Sequence, residues 1–454
     1  MTSQKAFFLL IVSIISLNIR VYGQGNEQKK FAFYDSKDTV VLQKNEYAIK
    51  HNAFGFNLTV INKDKQKKIS ALDKPNINFT VKGAEATAVG LFVLSAAMPM
   101  GHDYFFPLNG NNGVFFIKSN SIEFTRIPKP DWKKEREELI FKDAPFKQCH
   151  ASTLVETTPG VIMVAWFGGS YEGSKDVKIW MSRLEKGKWL APWVAAEGEM
   201  KDTVAVPLWN PVLFKSNSGK LFLFYKAGPN PREWWGMMKT SDDNGRSWSA
   251  TSRLPDGILG PIKNKPVQLK DGSILSPSST ETNEKWQAHI ERSTDDGTNW
   301  ELIPVDHGSA LDVIQPSILF YEGGKRLQML CRSKQRTVVE SWSADNGKSW
   351  SALSKTSLLN PNSGTDALTL KNGTQLIVYN PDVPGKDWFN GRFKLNVAMS
   401  RDGKTWTDIA ILENGDAKKE YSYPAIIQTK DGKVHITYTF DRKNIKHVVL
   451  SNTK

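Results

Sequence analysis

The feature that most constrains the fold is a unit that recurs six times between residue 150 and the C-terminus. Each unit contains an apolar strand, a turn with glycine and a second apolar strand, as in PVLFKSNSGKLFLFYK. Glycine supplies the positive φ angle that a tight hairpin turn requires. The spacings between successive turn glycines are 59, 53, 52, 49 and 59 residues, for Gly160, Gly219, Gly272, Gly324, Gly373 and Gly432. Such a period indicates a ring or array of similar units.

A second motif lies between the hairpins and keeps phase with them. Ser241 to Trp248, Ser293 to Trp300 and Ser343 to Trp350 fit the pattern S-x-D-x-G-x-x-W, the Asp-box. Ser400 to Trp406 is one residue short, and Ser182 to Trp189 keeps only the serine and the tryptophan. We expect the serine and aspartate to hold a turn between the two outer strands of each repeat, and the tryptophan to pack between neighbouring repeats. We therefore assign no catalysis to these boxes.

Each repeat supplies about four strands, and six repeats close a ring. Ring closure needs an edge strand from the other end of the chain, and Glu138 to Lys142 is the best candidate. The sequence thus predicts an all-β fold, with a six-bladed β-propeller over residues 136–454. A small β-rich domain is predicted over residues 24–135, and the charged stretch from Lys129 to Glu138 is interpreted as a linker.

The N-terminus is typical of a secretion signal. Lys5 precedes an apolar run from Ala6 to Leu17, which is too short to span a bilayer comfortably. Val21 and Gly23 then occupy the −3 and −1 positions of a cleavage site. We expect residues 1–23 to be removed and the chain to be secreted or periplasmic, and the sequence predicts no membrane span.

Charge and cysteine content narrow the classes of partner. The net charge of +13 suits an acidic oligosaccharide or polysaccharide, whereas no motif for binding nucleic acid is present. Only two cysteines occur, Cys149 and Cys331, and the repeats place them on different blades, so we expect two buried free thiols. His150, His289 and His447 lack the spacing of metal ligands. We predict no metal and no cofactor, and we expect a monomer.

The innermost strands of a propeller start around a central funnel, where ligands usually bind. Counting back from each turn glycine places one polar residue of every repeat there: His150, Asn210, Lys265, Gln315, Asp366 and Tyr423. An apolar core would not select this set, so we expect a polar ligand. The second strands and the loops after them are expected to add more polar groups: Glu281, His289, Arg332, Arg392 and Arg442.

Several segments of residues 140–454 resemble the sialidase superfamily, most closely its predicted-neuraminidase branch. The resemblance is carried by the Asp-boxes, by CHAS at the first strand, by MLCRSKQR and GRFKLNV, and by YSYPA at the last strand. It implies that Arg332 and Arg392 hold the carboxylate of the substrate. It also implies that Tyr423 or Tyr421 is the catalytic tyrosine and that Asp176 is the acid/base.

The sequence departs from the family pattern at two positions. His150 stands where the family has its first carboxylate-binding arginine. Gln315 stands where the family has the glutamate that activates the tyrosine, and an amide cannot act as a base. Both departures count against a strict sialidase.

Three functions remain open from the sequence. The first is an exo-acting glycoside hydrolase on a terminal acidic sugar, with Asp176, Glu281 and Tyr423 as candidate catalytic groups. The second is a polysaccharide lyase on a uronic-acid glycan, in which arginine neutralises the carboxylate while histidine and tyrosine transfer protons. The third is a glycan-binding propeller without catalysis.

The remaining candidates are assigned by residue type. Because imidazoles titrate near neutral pH, His150 and His289 are interpreted as proton-transfer groups. Lys265, Gln315 and Asp366 are interpreted as groups that bind substrate, together with the two arginines implied by the resemblance.

Overall fold

The computed structural model describes residues 39–43, 45–52, 55–65, 104–107, 113–117, 121–126, 132–306, 311–385 and 390–452. The chain divides into two compact units, with the boundary between Pro130 and Asp131. The predicted signal segment, residues 1–23, lies outside the described residues. Within the described part of the chain, no helix is long and apolar enough to cross a membrane.

Strands make up most of the described part of the N-terminal unit. They are β1 (Thr39–Gln43), β2 (Tyr47–Asn52), β3 (Gly55–Val60), β4 (Tyr104–Pro107), β5 (Gly113–Ile117) and β6 (Ser121–Arg126). Four of them form an antiparallel sheet in the order β1-β6-β5-β4, and β2 pairs with β3. The predicted domain over residues 24–135 and its role stay a prediction.

The C-terminal unit is a propeller of six sheets, which confirms the predicted ring. Its first strand, β7 (Trp132–Leu139), belongs to the last blade. Blade 1 contains β8 (Gln148–Thr158), β9 (Val161–Gly169), β10 (Lys178–Glu185), β11 (Lys188–Trp189) and β12 (Trp193–Ala196). The short hairpin of β13 (Met200–Lys201) and β14 (Val204–Ala205) follows. Blade 2 contains β15 (Leu208–Lys215), β16 (Leu221–Ala227), β17 (Trp235–Ser241) and β18 (Ser252–Arg253).

The next three blades continue in chain order. Blade 3 contains β19 (Val267–Gln268), β20 (Ile274–Glu281), β21 (Trp286–Ser293) and β22 (Glu301–Pro304). Blade 4 contains β23 (Val313–Tyr321), a turn of 3-10 helix (Glu322–Gly324), β24 (Arg326–Ser333), β25 (Thr337–Ser343) and β26 (Ser354–Leu359). Blade 5 contains β27 (Asp366–Thr369), β28 (Gln375–Tyr379), β29 (Lys394–Ser400) and β30 (Thr407–Asn414).

Blade 6 closes the ring with a strand from the start of the propeller. It contains β31 (Tyr421–Gln428), β32 (Val434–Phe440) and β33 (Asn444–Asn452), and β7 pairs antiparallel with β33. The predicted bounds of the closing strand, 138–142, therefore lie too far along the chain. The prediction of a linker from Lys129 to Glu138 is wrong from Trp132 onward, because a solvent-exposed sheet edge tolerates charged side chains well.

The Asp-boxes have the structural role predicted for them. Ser241 Oγ donates to Asp243 Oδ1 (2.8 Å) and accepts from the amide of Gly245 (2.8 Å). The amide of Ser247 also donates to Asp243 Oδ1 (2.9 Å), so the box ties its own turn together. Trp248 packs against an apolar cluster that blades 1 and 2 share. The core of the propeller thus lies between neighbouring blades, and both cysteines are buried there as free thiols, as predicted.

Candidate functional site

A β-bulge recurs at the start of the innermost strands. Asn210, Gln315 and Tyr423 each precede a proline, have a positive φ (37°, 56° and 52°) and lie where the strand register shifts. In blade 1 the equivalent residue is Ala151, with a φ of 56°. The sequence count is therefore wrong by one residue in blade 1, because it aligned His150 with this position. A bulge re-aims the side chains around it, and such strained backbone tends to occur at functional sites.

Tyr423 is the centre of a polar cluster at these bulges. Arg332 Nη1 donates a hydrogen bond to the Tyr423 hydroxyl oxygen at 2.6 Å, and Gln315 Nε2 donates to the same oxygen at 3.3 Å. The His150 ring lies 4.1 Å from the Tyr423 ring, measured between centroids. The alternative tyrosine, Tyr421, packs its ring on Phe440 at 5.2 Å instead. The structure therefore brings three predicted site residues to Tyr423: Arg332 and Gln315 at its hydroxyl oxygen and His150 at its ring.

Three arginines from different blades lie around Tyr423. The Cζ atoms of Arg332 and Arg392 are 5.7 Å and 6.0 Å from the centroid of the tyrosine ring. Asn362 joins these two arginines: Arg332 Nε donates to its Oδ1 (2.9 Å), and Arg392 Nη2 donates to its carbonyl oxygen (3.1 Å). Arg442 is the third; burial lowers the pKa of His150 beside the cluster, and the charge of Arg442 lowers it further.

Glu420 links the second and third arginines. Its Oε1 lies 3.1 Å from Arg392 Nη1, and its Oε2 accepts from Arg442 Nε at 2.8 Å. Burial acts to raise the pKa of Glu420, but Arg442 and Arg392 hold it below its usual value. Arg442 also pairs with Glu172 in the loop after β9. Sequence reasoning missed Glu420 and Asn362 and gave Arg442 no role.

Arg332 differs from the other two arginines in its charge environment. Only 8% of it is exposed, yet no carboxylate among the described residues lies within ion-pair distance of its guanidinium. Its remaining contacts are the amide of Gln315 and the face of Trp286, whose centroid is 5.2 Å from its Cζ. Buried charges in proteins are normally paired. An anionic ligand would complete the surroundings of Arg332, and a carboxylate matches the fork of a guanidinium.

His150 is held as a neutral imidazole. It is 1% exposed, and burial, followed by the charges of Arg442 and Arg392, lowers its pKa well below the usual 6.5. Its Nδ1 lies 2.9 Å from Thr439 Oγ1, while its Nε2 has no hydrogen-bond partner among the described residues. The site therefore contains a neutral imidazole whose Nε2 has no partner among the described residues.

This environment predicts a pH-dependent stability. Below about pH 6.5 the unfolded chain protonates His150 and the folded chain does not. The free energy of unfolding therefore falls by about 1.4 kcal/mol for each unit by which the pH is lowered. His150→Gln should remove this contribution and flatten the profile between about pH 7 and about pH 5. Urea unfolding of both proteins across this range measures it. Parallel profiles for the two proteins would contradict the assignment of a neutral His150.

Glu281 and Asp176, the two predicted carboxylic acids, occupy different environments. Glu281 ends β20, is half-buried and lies opposite Trp286 in the strand register. Burial raises its pKa, and the nearby Arg332 opposes the rise. Asp176 is exposed and accepts hydrogen bonds from Ser170 N (3.0 Å) and Oγ (2.7 Å) within its own loop. Side-chain hydrogen bonds from Ser174 and Ser170 lower its pKa, so Asp176 releases a proton more readily than Glu281.

Three predicted site residues form bonds elsewhere in the propeller. His289 Nε2 lies 3.3 Å from Glu291 Oε1, and Glu291 also accepts from the amide of Gly260 (2.7 Å). Lys265 Nζ donates to Asp366 Oδ2 at 2.7 Å, and the same oxygen accepts from the amide of Ile426 on blade 6 (2.9 Å). The contacts of Asp366 join blade 5 to blades 3 and 6, whereas those of His289 and Glu291 lie within blade 3 and the connection before it. The predicted catalytic and binding roles of His289, Lys265 and Asp366 stay predictions.

Comparisons with known proteins place this geometry in a family. Among solved structures, a protein of unknown function from Dyadobacter fermentans is 17% identical, and the match covers 71% of this chain and 100% of that one with a TM-score of 0.59. A Hadza microbial sialidase is 16% identical over 74% of this chain and 73% of its own, with a TM-score of 0.57. The NanB sialidase from Streptococcus pneumoniae is 10% identical over 77% and 83%, with a TM-score of 0.55.

These identities establish a shared fold and no more. Among curated proteins, none matches the chain. Residues 160–436, more than half of the chain, match the family model described as BNR repeat-like domain. The chain therefore belongs to the BNR repeat-like family, and it shares the β-propeller fold of the two sialidases.

Proposed function

We propose that this protein is an exo-acting glycoside hydrolase that removes a terminal acidic sugar, such as a sialic acid, from a glycan. The observation that carries the proposal is Arg332, a buried guanidinium that lacks a carboxylate partner among the described residues and touches the hydroxyl of Tyr423. A carboxylate on the substrate would pair with Arg332 and bring the sugar against the tyrosine. Two of the structural neighbours are named as sialidases, which supports this class of substrate.

The carboxylate site is assigned to the three arginines. Arg332 faces the ligand, and Arg392 lies beside it through their shared contact with Asn362. Arg442 compensates for the family arginine that is replaced by His150. Glu420 binds both Arg392 and Arg442, so it fixes the orientation of their guanidinium groups through charge-assisted hydrogen bonds.

In this proposal Tyr423 is the nucleophile and Glu281 is the acid. The phenol oxygen attacks the anomeric carbon as the bond to the leaving oxygen breaks, and Glu281 gives that oxygen a proton. Water then hydrolyses the tyrosyl intermediate, with Glu281 accepting the proton from water. Glu281 fits this role better than Asp176, because burial raises the pKa of Glu281.

The tyrosine also needs a base, since Gln315 cannot be one. We assign this role to His150, which is neutral and lies against the Tyr423 ring. His150 would take the phenol proton during the attack and return it when the intermediate is hydrolysed. We further propose that the chain is exported after cleavage near Gly23 and acts as a monomer, without a metal or a cofactor.

A polysaccharide lyase is the second candidate, and one observation favours it. The buried Nε2 of His150 has no partner among the described residues, so in the tautomer with the proton on Nδ1 it is available to remove a proton from carbon. In a lyase, Arg332 would neutralise the carboxylate of a uronic acid, His150 would remove the proton next to that carboxylate, and Tyr423 would protonate the leaving oxygen. This route needs no carboxylate base and so accommodates Gln315.

A release assay separates these functions. Purified protein is incubated with a panel of glycans ending in sialic or uronic acids, and the products are identified by mass. We expect a free acidic sugar whose mass includes the elements of water. An unsaturated uronate, recognised by its ultraviolet absorbance, would identify the lyase instead. Binding without release of any product would overturn both enzymatic proposals and leave a glycan-binding propeller.

A further inference from the structure

Lys263 is a buried cation that connects distant blades at the centre of the propeller. It lies just before β19 on blade 3 and is 3% exposed. Its Nζ donates to Asn264 Oδ1 (2.8 Å), to the carbonyl of Thr365 before blade 5 (3.0 Å) and to the carbonyl of Pro424 on blade 6 (2.5 Å). An ammonium group has three hydrogens, and here each has an oxygen acceptor.

The backbone of blade 5 leaves room for this side chain. Gly364 lies beside Lys263, and a Cβ atom at Gly364 would be 2.9 Å from Lys263 Cε and 3.2 Å from Gln315 Oε1. Any larger residue at position 364 would therefore displace the lysine or the glutamine. The glycine at position 364 is therefore part of the packing that accommodates Lys263.

Lys263 contacts the two bulges that form the Tyr423 cluster. It binds the carbonyl of Pro424 directly, and that residue follows the left-handed Tyr423 in the chain. It also binds Asn264, whose Nδ2 donates to the carbonyl of Gln315 at 2.9 Å. The Lys263 Nζ lies 5.8 Å from the centroid of the Tyr423 ring. Lys263 thus holds the backbone at the Tyr423–Pro424 bulge directly, and it holds the backbone at Gln315 through Asn264.

Packing alone does not explain a lysine at this place. Burial lowers the pKa of Lys263 to about 7, although the charge of Asp366 opposes the shift. Keeping this amine charged inside the propeller therefore costs folding free energy. An apolar side chain of similar length would avoid that cost, so the three directed hydrogen bonds must have another use.

We propose that Lys263 is a positioning residue that holds the strained Tyr423–Pro424 backbone and so keeps the Tyr423 hydroxyl against Arg332. Its effect on turnover rests on the proposed function, whereas its effect on the geometry does not. Lys263 itself touches no substrate in this proposal. A displacement of the phenol oxygen by about 1 Å is enough to lower a rate about 100-fold.

The test compares Lys263→Met with Lys226→Met. Lys226 is the other buried lysine among the residues that the structure describes, and its Nζ donates to the carbonyl of Pro261 at 2.8 Å. Both variants remove a buried ammonium, so both report the general effect on stability through their Tm. We expect Lys263→Met to lower kcat about 100-fold with KM unchanged, and Lys226→Met to keep kcat. Crystal structures of Lys263→Met and of the unmodified protein should show that the variant loses the Tyr423–Arg332 hydrogen bond.

Each outcome decides the proposal. If Lys263→Met keeps kcat, or if Lys226→Met loses as much, Lys263 does not position Tyr423. If the unmodified protein releases nothing from the glycan panel, the proposed function fails, and an intact Tyr423–Arg332 contact in crystals of Lys263→Met still overturns the inference. Should Lys263→Met not fold, Gly364→Ala displaces the lysine without removing it, and an unchanged Tyr423–Arg332 contact there would overturn the inference as well.

Discussion

Replacing Arg332 with alanine is expected to weaken binding of the acidic sugar by about 2–5 kcal/mol, the usual cost of losing a buried charge-assisted contact. The effect is large because Arg332 is the arginine of the cluster without a carboxylate partner among the described residues. A ligand carboxylate would therefore form its ion pair mainly with this group. Calorimetric titration with a sugar confirmed in the release assay measures the change.

Two further variants make this result specific. Arg326→Ala is a matched control, because Arg326 begins the same strand, β24, and also lies over a tryptophan, with its Cζ 4.7 Å from the ring of Trp342. Arg326 is 47% exposed and pairs with Glu322, so its loss should change binding by less than about 0.5 kcal/mol. Arg332→Lys keeps the charge but loses the two-pronged geometry, so we expect intermediate binding.

Tight binding by Arg332→Ala would contradict the proposed carboxylate site. The sugar would then bind elsewhere on the protein, and the reading of the chain as a glycan-binding module on another surface would gain support. An equal loss in Arg326→Ala would point to a general effect of removing arginine from β24 and would also count against a specific role for Arg332.

The sequence predicts the ring because the same short sequence signals recur in successive blades. Each turn glycine marks a hairpin, and the serine and aspartate of each Asp-box bond within their own turn, so both signals can be recognised without knowing what packs against them. The closing strand has no such signal. The residues of β7 are mostly charged, and they form a strand because β33 offers an unpaired edge. That edge lies at the other end of the propeller chain, so no pattern near β7 marks it.

The site is predictable where residues occupy repeated strand positions. Arg332 and Tyr423 were found because a family pattern and the strand count agree on them. Glu420 and Asn362 lie in connections between blades, which do not repeat, and only the folded chain brings them to the arginines. Polar type alone does not tell whether a residue contacts a ligand or another part of the ring. Asp366 accepts from the amide of Ile426 and from Lys265 inside the ring, and its predicted binding role stays a prediction.

Tyr423→Phe is expected to abolish turnover while leaving sugar binding close to that of the unmodified protein. The substitution removes only the hydroxyl, and the ring contact with His150 can remain. In the hydrolase the hydroxyl is the nucleophile and in the lyase it is the proton donor, so kcat should fall at least about 100-fold in either case. Arg332 Nη1 loses one acceptor, but a ligand carboxylate can take its place. Steady-state kinetics and calorimetry on the same protein preparation separate the two effects.

Tyr225→Phe is the control for removing a buried tyrosine hydroxyl. Tyr225 is fully buried on β16, and its hydroxyl bonds to Thr251 at 3.1 Å and to Glu199 at 3.3 Å, away from the Tyr423 cluster. Its loss should lower the free energy of unfolding by about 1 kcal/mol and leave kcat unchanged, because an ordinary buried hydrogen bond stabilises the fold and takes no part in the reaction. Turnover retained by Tyr423→Phe on a confirmed substrate would remove Tyr423 from the mechanism. The arginines would then define a binding site whose chemistry depends on Glu281 and His150 alone.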